Sequence, residues 1–336
     1  MPDRLPLAVQ TLYADLSQKL RPGAPLPGSI SRRTIHGTAR LYSTERHGAK
    51  RVQRHLGHAD DPAVVQQAEA IRREARLARD RRNSIVMLKA AGVQGPPKDV
   101  GRVLEVMSRA ALFDRGMVLV GTVAYQIYPC VLGCWLEASA MATQDADFVA
   151  ATTSVSTAVA LAVEEERGAG AGTDLLSVLR LADPSFADAP TPDRLAYPYR
   201  FVSEAGLDVE LLTPVRRRDE PSPVPLPGLK ASAMALPFLE YLMEGALPAV
   251  VLYGSGVRVT VPQPARYAVH KLIVAQLRQS DSVKRDKDLM QAQSIIALLR
   301  EADPDTLEDA LADARRRGPA WREGIAASLK ALGRNV

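Results

Sequence analysis

An apolar strand that ends in a Gly-Thr turn and leads at once into a helix limits the fold of this chain most strongly. Met117–Val120 predicts the strand, Gly121 and Thr122 the turn, and Val123 to about Tyr128 the helix. In this order the backbone N–H groups of the turn and of the helix start point outward together, a geometry that holds phosphate. A purely structural turn is the alternative interpretation, because many strand-to-helix connections contain glycine. Either way, the pattern predicts a fold that mixes strands and helices.

Two carboxylates at a spacing of two lie in the segment Thr143–Val149, which enters an apolar stretch. Side chains alternate along a strand, so Asp145 and Asp147 are expected to project from one face. Neighbouring carboxylates raise each other's pKa unless a cation lies between them, and Mg²⁺ prefers such oxygen ligands. The pair therefore indicates a metal site, with a solvated strand end as the alternative for the pair taken alone.

A third carboxylate follows in residues 205–214. Alternation there places Asp208 and Glu210 on the face opposite the apolar side chains, and Glu210 lies inside the apolar run. A buried acid without a basic residue beside it needs a cation or a proton. An adjacent strand that carries Asp145 and Asp147 would complete a site for two metal ions, the arrangement used in two-metal phosphoryl transfer.

These strings together resemble the DNA polymerase β-like nucleotidyltransferase superfamily, whose pattern is a G-[GST] turn, a D-x-[DE] strand and a later single acid. More narrowly, the chain resembles a bacterial family of nucleotidyltransferase-fold proteins that is distantly AbiEii-like. The resemblance covers roughly residues 95–300 and rests on Leu119–Thr122, Thr143–Asp147, Val209–Pro214, Val261–Leu272 and Lys284–Leu289.

The resemblance implies an enzyme that transfers a nucleoside monophosphate from an NTP to an acceptor hydroxyl and releases pyrophosphate. It assigns catalysis and the binding of Mg²⁺, or of Mn²⁺ in its place, to Asp145, Asp147 and Glu210. Gly121 and Thr122 would help to position the triphosphate. The implied fold is α/β (α+β), with a nucleotidyltransferase-type mixed β-sheet flanked by helices.

Two departures from the superfamily pattern leave an alternative open. The gap between Gly121 and Asp145 is long and implies an insertion, and the third acid is Glu210 where Asp is usual. Glutamate reaches one methylene further and can still bind a metal; if it does not, Asp208 is the fallback or the site is degenerate. The alternative is therefore a catalytically inactive protein of this fold that binds or regulates in a toxin–antitoxin or defence system.

Three further residues are implied to contact the nucleotide. The resemblance assigns neutralisation of the triphosphate to Lys271, and Pro264 opens a helix in which Lys271 lies at the border of the apolar stripe. Lys284 and Asp288 are spaced i, i+4 in the next predicted helix, and a similar pair lines the site in AbiEii-like relatives. A simple surface ion pair is the alternative for these two.

The positive charge of the chain is concentrated at its start. Residues 1–100 contain 18 Lys and Arg against 9 Asp and Glu, while the whole chain carries a net charge of +5. This part predicts a hairpin from Arg40–Thr44 and Ala49–Leu56, and a long helix from Asp61 to about Lys89. We expect its partner to be a polyanion, with RNA and in particular a tRNA 3′ end as the first candidate acceptor.

Arginines follow a helical stripe in the long predicted helix, at Arg72, Arg76 and Arg79. A solvated charged face accounts for this stripe as well as a nucleic-acid contact does. A protein chiefly dedicated to DNA binding is the third interpretation, but it leaves the three acids unexplained.

The expected organisation has three regions. These are a basic N-terminal accessory region at 1–94, a catalytic core at 95–225, and a C-terminal region at 226–336 that passes from strands near 249–253 and 257–261 to helices. No apolar run approaches the roughly 20 residues of a membrane span, and no signal-like segment opens the chain, which predicts a cytoplasmic protein without membrane contact. Cys130 and Cys134 are expected to be free thiols, and the oligomeric state is left open.

Overall fold

The computed structural model describes residues 3–21, 27–47, 50–136, 158–162, 174–189, 197–215, 222–278 and 282–333. The helices of these residues are α1 (Leu7–Lys19), α2 (Pro62–Ala90), α3 (Lys98–Arg109), α4 (Gly121–Tyr125), α5 (Tyr128–Leu132), α6 (Leu175–Ala182), α7 (Leu239–Met243), α8 (Pro264–Gln276), α9 (Val283–Ala302), α10 (Pro304–Arg316) and α11 (Pro319–Ala331). The strands are β1 (Gly28–Ile35), β2 (Thr38–His47), β3 (Lys50–His58), β4 (Val118–Val120), β5 (Ala158–Ala162), β6 (Ala187–Asp188), β7 (Arg200–Val202), β8 (Asp208–Pro214), β9 (Val224–Leu226), β10 (Ala231–Leu236), β11 (Leu247–Val251) and β12 (Val257–Val261).

The largest sheet is mixed and has β8 at its centre. Its order is β4-β5-β8-β10-β9, with β8 parallel to both β5 and β10, and with antiparallel pairing of β4 to β5 and of β9 to β10. The short hairpin β6–β7 attaches to the start of β8 through β7. This mixed sheet with flanking helices confirms the predicted α/β (α+β) fold class.

A single large apolar cluster joins the sheet to the helices on either side of it. It includes Leu104 of α3, Leu119 of β4, Leu211 of β8 and Leu272 of α8, each with none of its surface exposed. Apolar residues of α9 to α11 belong to the same cluster. The sheet also includes β10, which lies beyond residue 225, the expected end of the catalytic core. The boundaries of the three expected regions stay a prediction.

The basic N-terminal part contains a separate antiparallel sheet of order β1-β2-β3. Its β2–β3 hairpin is the predicted one, whereas β1, which follows the Pro- and Gly-rich segment Arg21–Gly28, was not predicted. The sheet packs on α2 through a small cluster that includes Leu41, Val64 and Ala68. At the start of α2, the Asp61 carboxylate accepts a hydrogen bond of 2.9 Å from the Ala63 N–H, which caps the helix.

Buried polar contacts attach α1 and α2 to the core. Arg81 of α2 is almost fully buried, where it pairs with Glu74 at 2.5 Å and donates to the carbonyl oxygen of Ser255 at 3.0 Å. The Tyr13 hydroxyl of α1 accepts from the Val250 N–H at 2.9 Å on strand β11. Because a buried arginine that loses its partner is costly, these contacts hold the long helix against the β11–β12 hairpin.

Among the residues that the structure describes, none of the helices is both long enough and apolar enough to cross a membrane.

Candidate active site

The Gly-Thr turn lies where the sequence places it, at the end of β4 and the start of α4. Gly121 has φ 73°, a left-handed conformation that glycine adopts without the steric cost a side chain adds. Thr122 follows half-buried, and Val123, Ala124 and Tyr125 are buried. The strand is therefore fixed in the core while the turn stays at the surface of the sheet's edge.

A tyrosine from α8 holds this turn in position. The Tyr267 hydroxyl lies 3.0 Å from the Gly121 carbonyl oxygen and 2.9 Å from Oε1 of Gln291 on α9. Burial raises the pKa of Tyr267 well above its ordinary value, and Tyr128 and Asp288 act in the same direction. The hydroxyl therefore stays protonated and can act as a permanent hydrogen-bond donor.

Three buried aromatic rings pack around this contact. The ring centroid of Tyr267 lies 6.2 Å from that of Tyr125 and 5.1 Å from that of Tyr128. The Tyr128 hydroxyl in turn donates to the Pro262 carbonyl oxygen at 3.0 Å. Edge and offset contacts between such rings add to their apolar burial, so α4, α5 and α8 form one rigid unit beneath the turn.

Lys271 lies one helical turn beyond Tyr267 and takes part in a buried ion-pair cluster. Its ammonium group contacts Oδ1 of Asp288, while the Arg278 guanidinium Nε lies 2.6 Å from Oδ2 of the same carboxylate. The side chains of Lys271 and Asp288 are only 12% and 5% exposed. Asp288 is thus a buried partner of two cations, and the surface ion pair considered for it does not describe its position.

Glu210 lies half-buried on the central strand β8, opposite Ala160 of β5 and Arg200 of β7 in the strand register. Burial raises the pKa of the Glu210 carboxyl, and the charge of Asp208 raises it further, whereas Arg200 and Lys284 act to lower it. The net upward shift means that the positive charge present does not fully compensate the ionised carboxylate.

Asp208 shares the face of Glu210 but already has a cationic partner. The Arg200 guanidinium contacts Oδ2 of Asp208 at 2.6 Å from Nε and 2.5 Å from its terminal nitrogen. Oδ1 of Asp208 is buried and has no hydrogen-bond partner among the described residues. The sequence showed no basic residue beside Glu210, and the structure places Arg200 of β7 opposite it in the strand register.

Asp145 and Asp147 lie outside the described residues. The described strands that pair with β8 at Glu210 are β5, at Ala158–Ala162, and β7, at Arg200–Val202. No group of three or more His, Cys, Asp or Glu side chains suited to a metal ion occurs in the described part of the chain. The roles assigned to Asp145, Asp147 and Glu210 therefore stay predictions.

The described candidates form a connected set. Gly121 is linked to α8 by the Tyr267 hydroxyl, and Lys271 of α8 is linked to α9 by Asp288. The positive charge of Lys284 on α9 acts to lower the pKa of Glu210. Sequence reasoning missed Tyr267, Gln291, Arg278 and Arg200. Their contacts join residues far apart in the chain, and the only sequence signal was the presence of polar groups in otherwise apolar segments.

A family model described as Nucleotidyltransferase matches residues 98–316, which is more than half of the chain. The chain belongs to this nucleotidyltransferase family. The family is one of transferases that act on nucleoside triphosphates. No curated protein matches the chain. No solved structure matches it either. The narrower resemblance to a bacterial, AbiEii-like family stays a prediction.

Proposed function

We propose that this protein transfers a nucleoside monophosphate from an NTP to an acceptor hydroxyl in a reaction that depends on Mg²⁺, or on Mn²⁺ in its place. The observation that carries the proposal is the half-buried position of Glu210 on the central strand, on the same face as buried Asp208, whose Oδ1 has no hydrogen-bond partner among the described residues. Burial and the charge of Asp208 both act to raise the pKa of Glu210. A carboxylate whose charge is incompletely compensated is stabilised when a cation arrives. The family membership supports the same reaction class.

The metal site is proposed to consist of Glu210 together with Asp145 and Asp147. The donor set is three carboxylates, which suits a hard divalent cation that also keeps water and phosphate oxygens as ligands. Oδ1 of buried Asp208, which has no partner within the described residues, adds to the negative potential on this face of β8. When bound, the metal supplies charge that activates the acceptor oxygen and stabilises the leaving group.

The triphosphate is proposed to lie between the Gly121 turn and α8. Gly121 and Thr122 offer backbone N–H groups at the start of α4, and the Tyr267 hydroxyl fixes the turn that presents them. Lys271 offers an ammonium group that Asp288 and the surrounding helix hold in one place. Charges that are already oriented stabilise a developing negative charge without reorganisation during the reaction.

The reaction needs no covalent intermediate on the protein. The acceptor oxygen bonds to the α-phosphorus, the bond from that phosphorus to the β-phosphate bridging oxygen breaks, and pyrophosphate leaves. The acceptor hydroxyl loses its proton to a nearby base, and Glu210 on the central strand is the proposed group. Lys271 would neutralise charge on the departing phosphates.

The proposed acceptor is RNA, with a tRNA 3′ end as the first candidate. The support for this is the charge of residues 1–100, which contain twice as many basic as acidic side chains. A polyanionic acceptor requires cationic surface beyond the small pocket that an NTP fills.

Labelled-NTP incubation with total RNA, followed by sequencing of the labelled molecules, tests the activity and identifies the acceptor together. The proposal expects metal-dependent label transfer and pyrophosphate release that Asp145→Asn abolishes. A matched control is Asp305→Asn, an exposed change in α10 away from the site residues. Turnover by the Asp145→Asn protein equal to that of the unmodified protein would show that the assignment is wrong.

A second candidate is a catalytically inactive nucleotidyltransferase fold that binds nucleotide and acts as a regulator, for example in a toxin–antitoxin or defence setting. Arg200 favours it, because it lies opposite Glu210 in the strand register and its guanidinium binds Asp208, where it supplies part of the charge that a metal would. The third acid is also glutamate in place of the usual aspartate.

Titration calorimetry with NTP and Mg²⁺ separates the two candidates. Nucleotide binding with no pyrophosphate release from any RNA, protein or small-molecule acceptor would support the inactive protein. An Arg200→Gln variant sharpens the comparison: if Arg200 replaces a metal, the variant should gain metal affinity, whereas in an active enzyme it should leave the metal requirement unchanged.

A further inference from the structure

The N-terminal sheet β1-β2-β3 has one face that packs on α2 and one that faces solvent. Leu41 and Ser43 of β2 are buried on the α2 side. Tyr42 lies between them in sequence, so its side chain points to the opposite face, where the strand register pairs it with His55. Arg33 of β1 lies opposite Arg40 of β2 in the strand register, and both are on the same side of the sheet as Tyr42. We call this side, defined by Arg33, Arg40, Tyr42 and His55, the outer sheet face.

The outer sheet face combines aromatic rings with positive charge. The ring centroids of Tyr42 and His55 are 5.0 Å apart, and the guanidinium carbon of Arg33 lies 5.3 Å from the Tyr42 centroid. His55 and Arg33 are exposed, while Tyr42 and Arg40 are half-buried. Accessible aromatic rings next to guanidinium groups are suited to single-stranded nucleic acid, because unpaired bases stack on the rings and the guanidinium groups bind the phosphates between those bases.

A cleft rich in arginine adjoins one end of this sheet. It has a volume of about 610 Å³ and is lined by Arg51 of β3, by Arg79 and Arg82 of α2 and by Arg109 of α3. Two acids, Glu45 and Glu105, also line it, and Glu105 is bonded to Arg109 at 2.7 Å. The arginines outnumber the acids, so the cleft carries a net positive charge.

The cleft lies between the N-terminal sheet β1-β2-β3 and the core. On one side it is bordered by Ser29 of β1 and Thr44 of β2, two residues that face each other on the outer side of the sheet. On the other side it is bordered by α3 and by the β11–β12 turn at Gly254 and Ser255. Because Thr44 follows Tyr42 by two residues on the same face of β2, the cleft begins next to the aromatic part of the outer sheet face.

We propose that the outer sheet face and the adjoining cleft together bind a single-stranded polynucleotide. Its bases stack on Tyr42 and His55, and its phosphates contact Arg33 and the arginines of the cleft. A double helix is not expected to bind in this way, since its bases are already stacked within it. The polynucleotide is RNA if this surface serves the acceptor, a step that rests on the proposed function.

The stacking part of this inference is tested with short labelled single-stranded RNA and DNA oligonucleotides in fluorescence anisotropy, without NTP. Tyr42→Phe keeps the ring and should bind as the unmodified protein does. Tyr42→Leu removes the ring but keeps apolar volume, and should weaken binding by about 5- to 150-fold, the effect of losing one stacked base. His55→Ala, at an exposed position, should weaken binding in the same range.

The phosphate part is tested by the salt dependence of the same binding. Arg33→Gln removes one contact and should lower the slope of log affinity against log salt by about 0.7, the value expected for one phosphate of a single strand. Arg316→Gln makes the same charge change on the exposed surface of α10 and should leave the slope unchanged.

The outcomes separate this inference from the proposed function. Preference for single strands, together with losses in Tyr42→Leu and Arg33→Gln, supports the inference even if no nucleotidyl transfer is found. Equal binding of single-stranded RNA and DNA also supports the proposal that this surface binds a single-stranded polynucleotide. Binding that is unaffected by Tyr42→Leu, His55→Ala and Arg33→Gln, or that favours a duplex, would overturn the inference while leaving the transfer reaction untouched.

Discussion

The Tyr267 hydroxyl lies 3.0 Å from the carbonyl oxygen of Gly121, so that helix α8 directly fixes the turn proposed to hold phosphate. The two residues are 146 positions apart in the chain. Lys271 follows Tyr267 by one helical turn, and its ammonium group lies 5.4 Å from the Tyr267 ring centroid. Helix α8 therefore positions both the turn and Lys271. A change at Tyr267 should alter the affinity for NTP.

Tyr267→Phe should weaken NTP binding, because it removes the hydroxyl and keeps the packed ring. The variant should also lose about 1 kcal/mol of unfolding free energy, the usual contribution of one hydrogen bond. The control is Tyr241→Phe, which removes a 2.8 Å bond from a buried hydroxyl to the Ala310 carbonyl oxygen, away from the turn. Urea unfolding and NTP titration of both proteins should show similar stability losses but weaker NTP binding only in Tyr267→Phe.

Lys271→Met should weaken NTP binding by about 10- to 100-fold, since a charged group contributes roughly 1.5–3 kcal/mol through its hydrogen bonds. Lys330→Met, an exposed change of the same type on α11, provides the control. Calorimetric titration with NTP and Mg²⁺ measures both. Equal affinity in the two variants would exclude Lys271 from the triphosphate site.

Glu210→Gln should stabilise the fold at neutral pH while it abolishes transfer. The raised pKa of Glu210 means that its ionised form is less favourable in the folded chain than in the unfolded one. This penalty applies above the raised folded pKa and disappears as pH falls below the ordinary value of 4.5, where the carboxyl is neutral in both states.

Thermal unfolding of Glu210→Gln across pH tests whether the ionised Glu210 carboxylate destabilises the folded chain. The variant should exceed the unmodified protein in melting temperature at neutral pH, and the difference should shrink towards zero in acid. Glu240→Gln, at an exposed position, should show no such pH-dependent difference. A Glu210→Gln protein that is less stable at neutral pH would show that the carboxylate is held by favourable contacts in the free protein.

Two helical glycines test the packing of the core. A methyl group on Gly101 of α3 would lie 2.2 Å from the Tyr253 ring, whereas one on Gly324 of α11 would meet its nearest atom at an ordinary 3.5 Å. Gly101→Ala should therefore cost about 1–3 kcal/mol through overpacking. Gly324→Ala should be neutral, or stabilise by up to about 1 kcal/mol, because alanine favours helices. Denaturant unfolding of both variants measures the difference.

Local patterns were sufficient to predict much of the fold. Residue composition, side-chain periodicity and the positions of Gly and Pro predicted α2, the β2–β3 hairpin, the turn at Gly121 and the helix that begins at Pro264. These elements depend on residues close in sequence. Strand β1 was missed since it follows a Pro- and Gly-rich stretch and shows no apolar alternation. It becomes a strand through its pairing with β2.

The candidate site was predictable in residue types but not in contacts. The position of Lys271 at the edge of an apolar stripe is visible in the sequence, whereas its buried partner Asp288 and the second cation Arg278 are brought together by the packing of α8 on α9. Arg200 reaches Asp208 only because β7 folds back on β8. Such contacts depend on tertiary structure, for which spacing in the sequence gives no signal.

The central claim is that Asp145, Asp147 and Glu210 hold the metal as one unit. Its most direct test is Mn²⁺ binding in the presence of NTP, followed by electron paramagnetic resonance in Asp145→Asn, Glu210→Gln and the double variant. If the acids share the metal, each single change should weaken binding strongly and the double change should add little more. Mn²⁺ affinity that is unchanged in Glu210→Gln, or losses that simply add, would contradict the claim.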